Sequence, residues 1–186
     1  MSAHEIVSFD EELLIVVDED DNVLDYKSKA ECHQGGGILH RAFSIFIFNS
    51  RHELVLQQRS AQKLLWPLFW SNSCCSHPRK GETLEQAAHR RLEQELGIST
   101  PLKYLYTFQY QATYKTIGSE NERCAVLIGH SDAPVSVNKN EIAEWKYISL
   151  DKLNTELAGQ GETYTPWFKM EWKKLSSEFM SEINAL

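Results

Sequence analysis

The sequence predicts a single α/β domain in which strand-like runs alternate with helices. Three observations carry this. Short apolar runs with a period of two recur along the chain, each bounded by turn residues. Two helix patterns with recognisable start signals interrupt them, at Thr83–Gly97 and from Thr165 onward. The chain has 186 residues with 42% hydrophobic content, which suits one core, and it shows no repeat, linker or low-complexity stretch. A single domain over 1–186 is the expectation.

Leu13–Val17 and Val23–Tyr26 flank the polar turn Asp18–Asn22 and read as a hairpin. Lys27–His40 reads as a loop, made pliable by Gly35-Gly36-Gly37 and carrying His33 and His40. Arg41–Asn49 and Glu53–Gln58 are the next two strands. Leu64–Trp70 is a bulky apolar patch that precedes a thiol turn carrying Cys74-Cys75 and His77, which runs on into the turn at Pro78–Gly81. Thr83 with Gln86 forms a capping-box signature, and Gly97 marks the helix end. Leu102–Ala112 alternates, with Tyr104, Tyr106, Phe108, Tyr110 and Ala112 on one face. Glu120–His130 and Glu144–Ser149 are further strands, Asp151–Leu157 is a short helix, and Pro166 opens a final amphipathic helix.

Two placements point to chemistry. On the first long helix, Leu84, Ala87, Ala88 and Leu92 form the apolar stripe, and Arg91 and Glu95 fall inside it. They are either a buried structural ion pair or the wall of a polar cavity that holds a metal and an anion. On the strand from Glu120, the period of two sets Glu120, Glu122 and Cys124 on one face. Neighbouring carboxylates there repel unless a cation sits between them, or they are solvated at an exposed strand end.

The net charge of −7 argues against a nucleic-acid surface, while local lysines and arginines can still hold a small anion. The four cysteines fit neither a zinc-finger nor a disulfide spacing and read as reduced thiols. The acidic start MSAHEIVSFDEE has no apolar core, and no run approaches membrane-spanning length, so a cytoplasmic location is expected.

The strings KAECHQGGGILHRAF, QRSAQKLLWPLFWSNSCCSHP, RRLEQELG, FQYQAT, SENE and TPW together resemble type 1 isopentenyl diphosphate isomerases, over nearly the whole chain from Leu13. That family uses a variant of the Nudix fold, so the resemblance implies a Nudix-like α/β (α+β) domain, a mixed β-sheet sandwich with packed helices. The resemblance implies interconversion of isopentenyl and dimethylallyl diphosphate through a tertiary carbocation. It implies Cys75 and Glu122 as the catalytic pair, with Tyr110 hydrogen-bonded near Glu122. His33, His40, His77, Glu120 and Glu122 would hold one divalent ion, Mn2+, Mg2+ or Zn2+. Glu95 would bind an Mg2+ that arrives with the diphosphate. Lys29, Arg59, Lys63 and Arg91 would hold the diphosphate oxygens, and Trp167 would lie against the isoprenoid carbons. The partner is then a small molecule, with no nucleic acid and no membrane, and the chain is expected to be a monomer or weak dimer.

The alternatives are a Nudix-type diphosphate hydrolase and a non-catalytic module that binds a metal and a diphosphate. The hydrolase signature G-x5-E-x7-R-E-U-x-E-E-x-G-U, set on Gly97, puts Ser76 at the first glycine, Glu82 at the first glutamate and Arg90 at the arginine. Arg91 and Gln94 then replace two glutamates and only Glu95 remains of the final pair. Clustered carboxylates that bind metals and activate water are depleted, which favours isomerisation.

Overall fold

The computed structural model describes residues 5–186; the first four residues of the acidic start lie outside the described part. β1 (Leu13–Val17) and β2 (Val23–Ser28) form the expected hairpin. Its turn is closed by the Asp18 carboxylate, which accepts the backbone N–H groups of Asp20 and Asn22. The loop expected next contains a short helix, α1 (Lys29–Cys32). Ser28 and Glu31 form a full capping box at its start, and that S-x-x-E signal was present in the sequence.

β3 (His40–Phe48) is the hub. It pairs antiparallel with β1, with β4 (Glu53–Arg59) and with β6 (Cys74–Ser76), and parallel with β8 (Gly118–His130). A strand covered on both faces needs apolar residues throughout, which FSIFIF supplies. β5 (Trp70–Ser71) and β9 (Ile142–Ser149) flank β4, and β7 (Leu102–Tyr114) pairs with β8. The thiol run, expected as part of a turn, is therefore strand at Cys74–Ser76; its pairing with β3 depends on contacts remote in sequence.

The helices cover the two faces. α2 (Leu84–Leu96) keeps the predicted Thr83–Gln86 box, and Gly97 ends it at φ 66°, the left-handed conformation glycine adopts most easily. Its Ala87, Ala88, Leu92 and Leu96 pack on Phe43, Ile45, Ile47 and Leu127. α3 (Leu150–Gln160), a 3-10 turn at Gly161–Thr163, α4 (Pro166–Glu178) and α5 (Met180–Asn184) follow. The helix expected to be last is thus followed by a short one. Trp167, Phe168, Trp172 and Leu175 of α4 close the other face over Phe46, Phe48, Val126 and Ile128. Each large apolar side chain so buried contributes roughly 1.5–3 kcal/mol.

One face assignment changes. A bulge between Tyr104 and Tyr106 rotates the strand, so Tyr104 is 52% exposed while Tyr106 and Tyr110 stay buried. The Tyr104 hydroxyl instead meets the Thr107 hydroxyl at 3.0 Å.

Candidate active site

Sheet register assembles the site. His40 lies opposite Glu122 across β3 and β8, Tyr110 lies opposite Glu122 across β7 and β8, and Ser44 lies opposite Cys75 across β3 and β6. The two-residue period then puts Glu120, Glu122 and Cys124 on one buried face, as expected. His33 arrives from the end of α1, tied to β8 by the Ser119 N–H donating to the His33 carbonyl. A Cβ on Gly118 would stand 2.4 Å from that carbonyl oxygen, so this crossing requires glycine.

The three histidines, far apart in sequence, come together with both glutamates. One ligand atom from each of His33, His40, His77, Glu120 and Glu122 lies within 4.8 Å of the others. His33 and His40 each turn Nδ1 toward a backbone carbonyl, Lys29 at 2.6 Å and Ile38 at 2.7 Å. If Nδ1 carries the proton there, Nε2 is the free ligand nitrogen. His40 Nε2 is buried with no hydrogen-bond partner among the described residues. Orphaned imidazole nitrogen beside two buried carboxylates fits a divalent ion.

The electrostatics are steep. His77 Nε2 meets Glu122 at 2.9 Å and His33 Nε2 meets Glu120 at 2.7 Å. Burial pushes His77 well below its ordinary value and His40 down to about 4, each helped by neighbouring histidines. Burial and the charge of Glu120 push Glu122 well above the usual carboxylate range. Burial also opposes ionisation of Glu120, but His33 holds it down at about 2. The Tyr110 hydroxyl donates to Glu122 at 2.6 Å.

A cavity of about 100 Å³ opens beside this cluster. His33, His77, Glu120, Glu122, Tyr110, Cys75 and Trp167 line it, together with Lys29, Arg59, Lys63 and Arg91. Burial pushes the Cys75 thiol up to about 12, and Arg59 works against that. Cys74 points the other way, into the apolar cluster under α2. The alternation along β6 therefore separates the adjacent thiols.

The four cations divide into two groups. Arg59 stands between thiol and aromatic wall: its guanidinium lies 5.2 Å over the Trp167 ring and donates to Cys75 Sγ at 3.9 Å. It also donates to the carbonyls of Leu65 and Trp66, the latter at 3.1 Å, fastening the apolar loop. Trp66 meets Trp167 edge-on at 5.3 Å, whereas Trp70 carries the Lys146 ammonium on its face. The second group converges on Glu141. This buried carboxylate pairs with Lys63 and, at 3.1 Å, with Arg91, and these cations hold it down at about 2 against its burial. Lys29 is drawn below its ordinary value by burial and by Lys63.

Both readings of the α2 pair hold in part. Arg91 and Glu95 form a buried ion pair at 2.5 Å, and Arg91 also lines the cavity. Glu95 is not among the lining residues; its Oε2 is the less engaged oxygen, 3.5 Å from the Gln57 amide. Sequence reasoning missed two buried carboxylates. Glu141 follows a polar loop that looks exposed. Glu171 lies four residues after Trp167 on the apolar stripe of α4, the kind of misplaced charge that singled out Arg91. Burial pushes Glu171 up to about 7.

The chain belongs to the Nudix domain family, whose model matches residues 38–168, and its helix-flanked mixed sheet agrees with that. Two solved structures share the fold. The DR0079 protein of Deinococcus radiodurans has a TM-score of 0.66 at 23% identity, covering 80% of this chain and 90% of that one. A MutT protein of Methanosarcina mazei has a TM-score of 0.63 at 20% identity, covering 75% and 94%. Within the superfamily, the chain belongs to the isopentenyl-diphosphate delta-isomerase family. It is 44% identical over 163 residues to isopentenyl-diphosphate delta-isomerase 1 of Photorhabdus laumondii, covering 87% of this chain and 93% of the relative. The isopentenyl-diphosphate delta-isomerase of Serratia proteamaculans is 40% identical, with 91% and 94% covered. That of Schizosaccharomyces pombe is 36% identical, with 86% and 80% covered.

Proposed function

We propose that this chain interconverts isopentenyl and dimethylallyl diphosphate, with Cys75 and Glu122 as the proton-transfer groups. The observation that supports this best is that the Cys75 thiol, the Tyr110–Glu122 hydrogen bond and the Trp167 ring share one cavity. Hydrolysis needs neither a thiol nor an aromatic wall. The inward face of α2 also offers a guanidinium at Arg91, which suits gripping an anion better than generating a nucleophile.

Adding a proton to an unactivated double bond needs a strong acid. Glu122, bonded to Tyr110, holds a proton readily because its buried surroundings disfavour the charge. A divalent ion held by His33, His40, His77, Glu120 and Glu122 would supply Lewis acidity that strengthens that acid. Imidazole with carboxylate suits Mn2+, Zn2+ or Mg2+ there. The proton goes to the terminal alkene carbon and leaves a tertiary cation. Cys75 Sγ, as a thiolate whose burial penalty the Arg59 guanidinium partly offsets, takes a proton from the neighbouring methylene, and a new C=C bond forms. The roles exchange in the reverse direction.

The negative face of Trp167 stabilises the cation by roughly 0.5–2 kcal/mol, and the apolar loop around Leu65 keeps water away. Lys29, Lys63 and Arg91 anchor the diphosphate, with Arg59 reaching it from the thiol side; Glu95 would hold the Mg2+ that accompanies it. That binding is remote from the reacting carbons and can be spent on orienting them. Incubation with isopentenyl diphosphate and Mg2+, followed by product analysis, tests the reading. Dimethylallyl diphosphate without phosphate release is the expected result; faster release of phosphate or pyrophosphate restores the hydrolase.

A further inference from the structure

Among the described residues, two buried polar atoms lack a hydrogen-bond partner on successive turns of α4: the Trp167 indole Nε1 and the Glu171 carboxylate Oε2. Both residues are almost wholly buried, at 3% and 1% exposure. Residues four apart on a helix share one face, so one orphaned donor and one orphaned acceptor belong to neighbouring side chains. Buried polar groups are ordinarily paired, because leaving them unmade is costly in a low-dielectric interior. An orphaned pair that could satisfy itself indicates a bond made in another state of the protein.

The rest of Glu171 is fixed. Its Oε1 accepts from Cys124 Sγ at 3.6 Å, and its main-chain oxygen accepts from the Tyr106 hydroxyl at 3.4 Å. Cys124 shares its strand face with Glu122, and Cys124 Sγ also donates to the Ser44 hydroxyl at 3.6 Å; Ser44 lies opposite Cys75. The carboxylate is thus anchored to β8, which carries Glu122, and through Cys124 it is linked to Ser44 of β3, the residue opposite Cys75. Trp167, by contrast, has no hydrogen bond to its indole among the described residues and is held by ring contacts, with Trp66 at 5.3 Å and Tyr110 at 6.2 Å. Its ring already has a guanidinium over it, that of Arg59.

We propose that Glu171 is a positioning residue for the reaction: its free oxygen accepts the indole N–H of Trp167 when the hydrocarbon end of the substrate is bound, and so fixes the ring face against the cationic carbon. The proposal rests on the isomerase reading. A bond from the indole N–H to a carboxylate is charge-assisted and directional, so it sets the ring angle more sharply than apolar contacts do. It also makes the ring more electron-rich, which favours a cation on its face. Both effects grow as positive charge develops, so they act on the transition state more than on the bound substrate.

The test uses the full-length protein labelled with 15N at its indoles, with the Trp167 resonance assigned from Trp167→Phe. The probe is a diphosphate ester with a tertiary ammonium in place of the cationic carbon. On saturation the Trp167 N–H resonance should move downfield and exchange with solvent at least about ten-fold more slowly. Glu171→Leu should abolish that change, and Glu171→Gln, which keeps a neutral acceptor, should retain part of it. In Glu171→Leu, kcat should fall about ten-fold while KM stays within about two-fold, and the analogue's advantage over substrate should shrink by a similar factor. If Glu171→Leu does not fold, Glu171→Gln decides by its smaller downfield shift. A wild-type protein that isomerises but whose Trp167 resonance does not move overturns the proposal. So does a folded Glu171→Leu with unchanged kcat and analogue preference, or a Glu171→Gln shift equal to wild type. Absence of dimethylallyl product from wild type overturns the isomerase reading itself.

Discussion

Replacing Glu141 by Gln should make the protein's stability less dependent on acid. Glu141 is 3% exposed, and its carboxylate bridges Lys63 and Arg91. Burial alone would raise its pKa, but the two cations prevail and bring it from 4.5 to about 2. A folded value below the unfolded one means that the stabilisation is complete above pH 4.5 and is lost as pH falls through about 2. A depression of that size corresponds to about 3 kcal/mol. Urea unfolding of wild type and Glu141→Gln across this range isolates the contribution, because all other carboxylates titrate in both. Near neutral pH the variant should be less stable by about 3 kcal/mol, and the gap should close toward pH 2. A gap that is absent at neutral pH, or that persists unchanged into acid, refutes the argument.

Three further outcomes are expected. Cys75→Ala should abolish isomerisation, whereas Cys74→Ala, which removes a thiol packed under α2 beside Glu95 and outside the cavity lining, should keep most of it; equal losses in two folded variants count against the assignment. Tyr110→Phe removes the 2.6 Å bond to Glu122 and should lower kcat by roughly 10–100-fold with little change in KM, as steady-state kinetics will show. A chelator strong enough to strip the histidine–glutamate cluster should abolish activity and lower the thermal midpoint, with His40→Ala failing to rebind the ion by elemental analysis; active protein free of metal would sink this idea.

What was readable in the sequence depended on the range of the interactions involved. The α2 boundaries and the Glu120–Glu122–Cys124 face are local consequences of capping and period, and the structure reproduces them. Arg91 and Glu95 were visible as charges on an apolar stripe, but their division of labour was not. Which of them reaches the cavity depends on Glu141, forty-six residues beyond Glu95, and on the Gln57 amide. The Cys74–Ser76 strand escaped because three residues beside proline and glycine look like a turn until β3 is there to pair with them. Tyr104 was misplaced because a single bulge breaks the alternation without a sequence mark. His33, His40 and His77 were each unremarkable alone. Their convergence rests on β3 register and on the Gly118 crossing, so the resemblance to a known family, not spacing, pointed to it.

The central claim is that a proton is delivered to the terminal alkene carbon and another is removed by Cys75 from the methylene on the other side of the cationic carbon. It is tested most directly by following isopentenyl diphosphate with the enzyme and Mg2+ in D2O by NMR. Acidic protons on Glu122 and Cys75 exchange with solvent, so dimethylallyl diphosphate should form with deuterium in its new methyl group. Cys75→Ala should yield none, and no phosphate should be released in either case. Allylic product without solvent deuterium, or full turnover by Cys75→Ala, would contradict the account.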